Sequence, residues 1–359
     1  MPRDAIANAP NSGSRASFAP AGCSRFRSIT AGHDDAAAAG ASWRPERLGE
    51  MIAYLIRRIV YGAAVLLGTS IITFTIAFVI PADPAVAMAG AKADPQTLAT
   101  IRHQLGLDQP VYLQYAHYLD CALHGDLGRS YIRRASVTQL ILSRFPATAI
   151  LALCAMALSL ALGIPMGMVA AAWRGRAVDN VLLIVSLALI SVPVFWLGTM
   201  LLIAGGLYLR SFPLGGFDGL KSLALPTIAL ALGSAGYYSR ILHTNLVEAL
   251  EQDYIRTARG KGLSAGQALV RHAMANATLP LVTLAGLDLA GLLSGVVLTE
   301  TVFNWPGIGR LAYEAVFNLD IPLIMGTVLF SAFLVVVANL GVDLLYAWID
   351  PRIRLSEAA

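Results

Sequence analysis

Charged side chains are scarce in this sequence: Asp, Glu, Lys and Arg make up 13% of its 359 residues, against roughly one quarter in an average soluble domain. The net charge is only +4, and the basic residues are spread along the chain. Nucleic-acid binding, which needs clustered Lys and Arg, therefore has no support. Hydrophobic residues make up 57% of the chain, which is the balance of a membrane protein.

Several motifs that carry catalytic or metal chemistry are also missing. The three cysteines, Cys23, Cys121 and Cys154, form no C-x-x-C pair, so neither a disulfide framework nor a zinc site follows. The sequence has no phosphate-binding G-x-x-x-x-G-K-[ST] and no H-E-x-x-H. The run RGKG at 259–262 lacks the spacing and the hydroxyl that hold phosphate and magnesium. We predict no catalytic residue, no metal site and no cofactor.

Long apolar runs dominate what is present. They cover residues 52–80, 147–172, 181–209, 223–243, 278–302 and 322–348. Each is close to or longer than the roughly 20 residues that a helix needs to cross the hydrocarbon core. We predict an all-α membrane protein with six transmembrane helices, the third of which tolerates Pro193. Two glycine pairs spaced by four, Gly163/Gly167 and Gly291/Gly295, predict close packing of helix backbones.

The basic residues of the short loops indicate the orientation. If the N-terminus is cytoplasmic, the inside segments from residue 51 onwards hold eleven basic residues and the two short outside loops hold three. The long outside segment at 81–146 holds six more, but the positive-inside rule governs loops of that length poorly. The inside set is Arg57, Arg58, Arg174, Arg176, Arg240, Arg256, Arg259, Lys261, Arg271, Arg352 and Arg354, and the outside set is Arg210, Lys221 and Arg310. This asymmetry obeys the positive-inside rule and predicts that both termini are cytoplasmic.

The first fifty residues are rich in Ala, Ser, Gly and Arg and lack apolar periodicity, so we predict a disordered extension at 1–50. Met51 directly precedes the first span, which suggests that the mature chain starts there. The predicted organisation is a first transmembrane helix at 51–80, an outside loop or lid at 81–146, a core at 147–350 containing a polar loop at 244–277, and a tail at 351–359.

The polar loop contains its own helix signals. Gly260 and Gly262 stop a first helix, Ser264 can cap a second one, and Gln267 three residues later completes a capping box. Arg256 and Arg259 would share a face of the first helix. Such a helix suits docking to a soluble partner, and an ordinary amphipathic loop helix would look the same.

At these residues the sequence resembles the peptide/nickel branch of the binding-protein-dependent ABC importer permeases. The run DYIRTARGKGLS and the following RHAMANATLP match the cytoplasmic coupling loop of that family, with Arg256, Thr257 and Ala258 where its general form has Glu-Ala-Ala. GDLGRSY at 125–131, ETVFNWPGIGRL at 300–311 and VDLLYAWIDPRIR at 342–354 follow in the family's order. The resemblance implies that the residues coupling to an ATPase are Asp253, Tyr254, Arg256, Thr257, Ala258, Arg259, Lys261 and Gly262.

The resemblance also implies the fold, the partners and the location. The fold would be the transmembrane domain of a type I ABC importer, in the inner membrane of a prokaryote. Its partners would be a second homologous permease subunit, two cytoplasmic ATP-binding subunits, an extracytoplasmic solute-binding protein that meets the lid, and membrane lipid. Because ATP would be hydrolysed by the partners, the chain itself would not be an enzyme.

Several questions of function stay open at this point. Within the family architecture the solute could be a dipeptide or oligopeptide, glutathione or a nickel chelate. A membrane-embedded enzyme would need titratable groups converging at one depth, and a stand-alone channel or secondary transporter would act without an ATPase.

Two groups of side chains need an explanation of their own. Asp288 lies near mid-bilayer, either as a polar point on the translocation pathway or as a structural hydrogen-bonding group. Glu300 and Asp343 lie near span ends, where we predict hydrated, structural side chains. Three residues of one helical face, His117, Cys121 and His124, could ligate a metal or belong to an ordinary packed helix.

Overall fold

The computed structural model describes residues 45–79, 85–86, 94–104 and 108–349, and within these ranges the regular structure is helical, without a β-strand. The shorter helices are α2 (Pro95–Gln104), α3 (Val111–Leu123), α8 (Asp253–Gly260), α10 (Val297–Val302) and α11 (Ile308–Phe317). The longer ones are α1 (Pro45–Val79), α4 (Val137–Ala172), α5 (Ala177–Ser191), α6 (Val194–Tyr208), α7 (Leu220–Glu251), α9 (Ala265–Leu293) and α12 (Ile321–Ile349).

Four helices of the described chain are long and apolar enough to cross a bilayer, namely α1, α4, α9 and α12. The pair α5 and α6 makes a fifth if it is counted as one span. This pair is bent by 94° around Val192 and Pro193. The prediction of one helix running through Pro193 is therefore wrong, because the missing N–H and the proline ring end α5 at Ser191.

The helix bounds differ from the predicted runs at several ends. Helix α1 begins at Pro45, so it includes the last six residues of the extension predicted to be disordered; residues 1–44 and 350–359 lie outside the described ranges. Helix α4 starts ten residues before the predicted span, and α9 ends at Leu293 instead of continuing to 302. Helices α2 and α3 lie within the segment predicted to be an outside loop or lid.

Helices α4 and α7 pack backbone against backbone. A Cβ atom added at Gly163 would lie 2.8 Å from the Ala235 carbonyl oxygen, and one at Gly167 would lie 2.7 Å from the Ser239 carbonyl oxygen. The predicted close packing at this pair is confirmed. Around Gly291, in contrast, no atom lies within 4 Å of such a Cβ, and Gly295 occupies a turn with φ +108°. A Cβ at Gly295 would, however, lie 2.8 Å from the Gly309 N of α11, so close packing occurs at only one glycine of the second pair.

We expect Gly167→Ala to destabilise the protein by about 1–3 kcal/mol, because the added methyl has no room between α4 and α7. Gly291→Ala is the matched control: it adds the same methyl to an apolar helix, but into open space, and should be neutral or slightly stabilising. Thermal unfolding of the detergent-purified protein measures both. An unfolding midpoint for Gly167→Ala equal to that of the control would contradict the packing argument.

The far side of α7 is packed in the same way. A Cβ at Gly236 would lie 2.7 Å from the Ser186 carbonyl oxygen of α5. Helix α7 therefore lies between α4 and α5 with small residues towards each. Since lipid is as apolar as leucine, this close packing, and not removal of side chains from water, holds the helices together in a bilayer.

Candidate coupling helix and pathway residues

Helix α8 follows α7 with a single non-helical residue, Gln252, between them. Ile255 and Ala258, three residues apart, are buried against the helix bundle and hold α8 in place. The opposite face of α8 is polar. Its exposed side chains include Asp253, Arg256, Thr257 and Arg259. The local sequence thus forms a short amphipathic helix with one anchored face and one free, largely basic face.

The turn at Gly262 ends α8 as predicted, and we call this turn the hinge. Gly262 has φ +94°, a left-handed conformation that glycine adopts without strain. The N–H of Gly262 donates to the Arg259 carbonyl at 2.9 Å, and the N–H of Leu263 donates to the Ala258 carbonyl at 3.3 Å. These are the two hydrogen bonds of a Schellman motif, which ends a helix at a left-handed residue.

The second helix of the loop, α9, begins with the predicted capping box. The N–H of Gln267 donates to Ser264 Oγ at 3.3 Å, and the Ser264 N–H donates to Gln267 Oε1 at 3.1 Å. The letters G-L-S-A-G at 262–266 also fit the pattern of a serine-hydrolase nucleophile turn, which requires a strand before the serine. Here Ser264 stands between two helices and its Oγ serves as a helix cap.

Among the eight residues expected to couple to an ATPase, the structure separates an exposed set from an anchoring set. Tyr254 accepts a hydrogen bond from Asn276 Nδ2 at 3.1 Å, which ties α8 to α9, and Ala258 is 7% exposed. Arg256 lies 3.5 Å from Asp253, and Thr257 Oγ1 donates to the Asp253 carbonyl at 3.0 Å. Arg259, Lys261 and Gly262 are exposed as well.

A largely buried pair of side chains, at the half of α7 that leads into α8, was not predicted from the sequence. His243 Nε2 of α7 lies 3.1 Å from Asp179 Oδ1 of α5, without the alignment of a hydrogen bond. The other Asp179 oxygen accepts the Gly175 N–H at 2.8 Å. Arg174 in the same loop donates to Glu251 at 2.5 Å. These contacts fix the loop between α4 and α5 to the end of α7. No local sequence pattern predicts the His243–Asp179 pair, because the two residues are 64 positions apart.

Asp288 lies at the contact between α7 and α9. The hydroxyl of Tyr238 donates to Asp288 Oδ2 at 2.5 Å and lies 3.6 Å from Met156 Sδ of α4. Tyr238 is completely buried, whereas Asp288 is partly exposed. The tyrosine partner fits the structural explanation of Asp288, and the exposed part of the carboxylate leaves the pathway explanation open.

Glu300 forms the centre of a buried network between α4, α10 and α11. Its carboxylate accepts from Thr148 Oγ1 of α4 and from the Arg310 N–H in the first turn of α11, both at 2.8 Å. Thr148 Oγ1 in turn accepts the Ile308 N–H at 2.9 Å, and Trp305 Nε1 donates to the Ala147 carbonyl at 3.0 Å. Glu300 is 0% exposed, so its structural role fits but the predicted hydration is wrong.

The surroundings of Glu300 act on its charge in opposite directions. Burial raises the pKa of its carboxyl, while the N–H and O–H donors around it lower the pKa. The positive end of α11 also favours a carboxylate at this point. Asp343, the other acid predicted near a span end, pairs with Arg58 of α1 at 3.0 Å and is largely shielded.

The three candidate metal ligands of α3 do not form a site. His117 Nε2 and Cys121 Sγ are 3.8 Å apart, but His124 Nδ1 lies 2.8 Å from the Asp120 carbonyl oxygen. No group of three potential ligands occurs in the part of the chain that the structure describes. Helix α3 packs through its aromatic residues: Tyr115 and Tyr118 contact Phe74 of α1 with ring centroids 5.2 and 6.2 Å apart.

Apolar membrane-length helices joined through a polar helix–glycine–helix loop define a class, the integral-membrane subunits of transport systems. The chain belongs to the family described as the binding-protein-dependent transport system inner membrane component, whose model matches residues 163–355. The N-terminal model of the same family matches residues 51–152. The protein is therefore a membrane permease component.

Several curated relatives align with this chain over nearly their whole length. A putative peptide transport system permease protein of Brucella abortus is 40% identical over 312 residues, covering 85% of this chain and 99% of the relative. The dipeptide transport system permease protein DppB of Escherichia coli K12 is 36% identical over 336 residues, with the same coverage. The glutathione transport system permease protein GsiC of Escherichia coli is 38% identical over 304 residues, again covering 85% and 99%.

A solved structure supports the fold. The methionine ABC transporter MetNI in an inward-facing conformation matches with a TM-score of 0.50 at 17% identity, covering 59% of this chain and 97% of that chain. At this identity the likeness concerns the fold alone, which is that of an ABC transporter permease chain.

Proposed function

We propose that the chain is one of the two permease subunits of a type I ABC importer and forms half of a translocation pathway for peptides. The observation that carries this proposal is α8, which is anchored through Ile255 and Ala258 and presents Arg256 and Arg259 outward, one residue from the end of α7. The names of the peptide, dipeptide and glutathione permeases related to the chain support the solute class. Glutathione and nickel chelates remain the alternative cargo.

In this proposal the chain crosses the membrane six times, with both termini cytoplasmic. Helix α7 supplies the fourth span, and the bent pair of α5 and α6 supplies the third. The ion pair between Arg174 and Glu251 joins the α4–α5 loop to the end of α7, as expected if both lie on the cytoplasmic side together with α8. The described outside segments, α2, α3, α10 and α11, would face the solute-binding protein.

Two cytoplasmic ATP-binding subunits supply the energy, and one of them docks on the exposed face of α8. When these subunits close on ATP, α8 moves with them, and the spans joined to it change between outward-open and inward-open states. Asp288, at the border of α7 and α9, belongs to the pathway in this proposal. Membrane lipid covers the apolar outer faces, and nucleic acid has no role.

Co-expression with the proposed ATP-binding subunits, second permease and solute-binding protein tests the function. We expect the chain to purify with two ATPases and a second permease, and to take up dipeptides into proteoliposomes when ATP and a loaded binding protein are supplied. Uptake of solute by the chain alone, without an ATPase, would instead favour a stand-alone channel or a secondary transporter.

Replacing Gly262 by valine should reduce uptake while membrane abundance stays normal. A β-branched residue in the left-handed conformation costs about 1–2 kcal/mol per residue, so the turn between α8 and α9 would shift. Gly260→Val is the matched control, because no atom lies within 4 Å of the added Cβ at either glycine and only Gly262 has a positive φ. Equal uptake by the two variants would remove the hinge from the proposal.

A further inference from the structure

The two oxygens of the Asp288 carboxylate differ in their hydrogen bonding. Oδ2 accepts the Tyr238 hydroxyl, while Oδ1 has no hydrogen-bond donor among the residues that the structure describes. The carboxylate is partly exposed, and within the described ranges no Lys, Arg or His lies within ion-pair distance of it. A carboxylate in an apolar span is costly unless it is paired or hydrated, so an ionised Asp288 favours contact with a cation.

Tyr238 holds the carboxylate in a fixed place. The tyrosine is completely buried, and a Cβ at Gly163 of α4 would lie 3.0 Å from the Tyr238 Cβ, so the helix contact leaves the tyrosine little freedom to shift. Its hydroxyl reaches between Met156 and Asp288. Preorganisation of this kind strengthens recognition, because the carboxylate loses less freedom when a ligand arrives.

Two neighbours of Asp288 along α9 are exposed. One helical turn further along α9, Gly291 is exposed and no atom lies within 4 Å of where its Cβ would be. Leu287 next to Asp288 is exposed as well. The exposed side therefore combines one negative charge with apolar neighbours and a clearance at the glycine. This is the composition of a site for a small cationic group on a partly apolar molecule.

We propose that Asp288, positioned by Tyr238, binds the ammonium group of a solute during translocation. The inference rests on the proposed function, since it places Asp288 on the pathway of a peptide importer. The ammonium group can come from a free peptide N-terminus or from a lysine side chain. Both sources offer the same N–H donors and charge to Oδ1.

Uptake by Asp288→Asn tests the site in proteoliposomes containing the whole complex. Three peptides matched for affinity to the binding protein serve as solutes: one with a free N-terminus, its N-acetyl form, and an N-acetyl form containing lysine. We expect the maximal uptake rate of the free-amine peptide to fall by about tenfold, as for loss of a charged hydrogen bond, and that of the N-acetyl peptide to stay unchanged. Loss of the lysine peptide as well would identify any ammonium as sufficient, and its retention would restrict the site to the N-terminus.

Tyr238→Phe separates positioning from mere packing. The ring stays, the hydroxyl is lost, and we expect a smaller drop confined to the ammonium-bearing peptides. Equal losses for all three peptides in Asp288→Asn, or wild-type rates in Asp288→Leu, would overturn the proposal and leave Asp288 a structural hydrogen-bonding group.

A labelling measurement stands apart from transport. Dicyclohexylcarbodiimide reacts with carboxyl groups in apolar surroundings, and modification of Asp288 in the purified complex can be read by mass spectrometry. We expect the free-amine peptide, but not its N-acetyl form, to slow this reaction. Equal labelling with both peptides overturns the ammonium site even if uptake is normal, whereas absence of uptake with selective protection would count against the proposed function alone.

Discussion

Uptake should fall by on the order of tenfold or more when Arg256 and Arg259 are both replaced by glutamate, because charge reversal at a docking face leaves charges of the partner unpaired or repelled. Both side chains are exposed on α8, while the helix is held by Ile255 and Ala258 on its other face. The variant should therefore fold and insert normally. Retention of the ATPase on the purified permease, measured together with uptake, reports the loss.

The matched control reverses Arg176 and Arg240, which are exposed basic residues of the set predicted to lie inside. It changes the net charge by the same amount at the same end of the bundle, so any general effect on membrane orientation is equal. We expect this control to keep the ATPase. If both double variants retained it equally, α8 would not be the docking surface.

Loss of the Glu300 carboxylate should have the largest effect on stability. Glu300→Ala leaves the Thr148 hydroxyl and the Arg310 N–H without their acceptor in a buried place, at a cost of roughly 3–5 kcal/mol. Glu300→Gln should cost less but remain harmful, because its NH₂ would face one of these donors. Thermal unfolding of the purified complex and abundance in the membrane measure the effect.

Glu314→Gln is the control in the same region, because Glu314 lies on α11. Glu314 pairs with Arg133 and Arg310, but its side chain is 28% exposed, so we expect a cost of about 1 kcal/mol or less. Similar unfolding midpoints for the Glu300 and Glu314 variants would show that the buried network does not hold α10 and α11 to α4.

The features that could be predicted from the sequence are those decided over a few residues. The capping box of Ser264 and Gln267 and the left-handed Gly262 follow from local backbone chemistry, and both are present. Long apolar runs likewise identified most of the membrane-length helices. The break at Pro193 was misjudged, because neighbouring helices decide whether a proline is accommodated inside a helix or ends it; Pro165 and Pro280 stay within their helices.

Contacts between residues far apart in the sequence could not be predicted. Glu300 looked like a hydrated span-end residue, and its burial depends on Thr148, which lies 152 positions earlier. Tyr238 gave no sign of a link to Asp288, 50 positions later. A single acidic residue in an apolar run indicates that a hydrogen-bonding partner is needed, but the packing of the helices determines which residue that partner is. The division of the coupling loop into anchoring and exposed residues also required the orientation of α8 on the bundle.

The small-residue contacts of α7 bear on how a displacement of α8 would spread. Close backbone contacts at Gly163 and Gly167 on one side and at Gly236 on the other leave no space for α7 to rotate or slip against α4 and α5. The pair of His243 and Asp179 adds a fixed contact in the half of α7 that leads into α8. Helices α4, α5 and α7 should therefore translate together as one rigid body. Relative motion is then left to contacts made through long side chains elsewhere in the bundle.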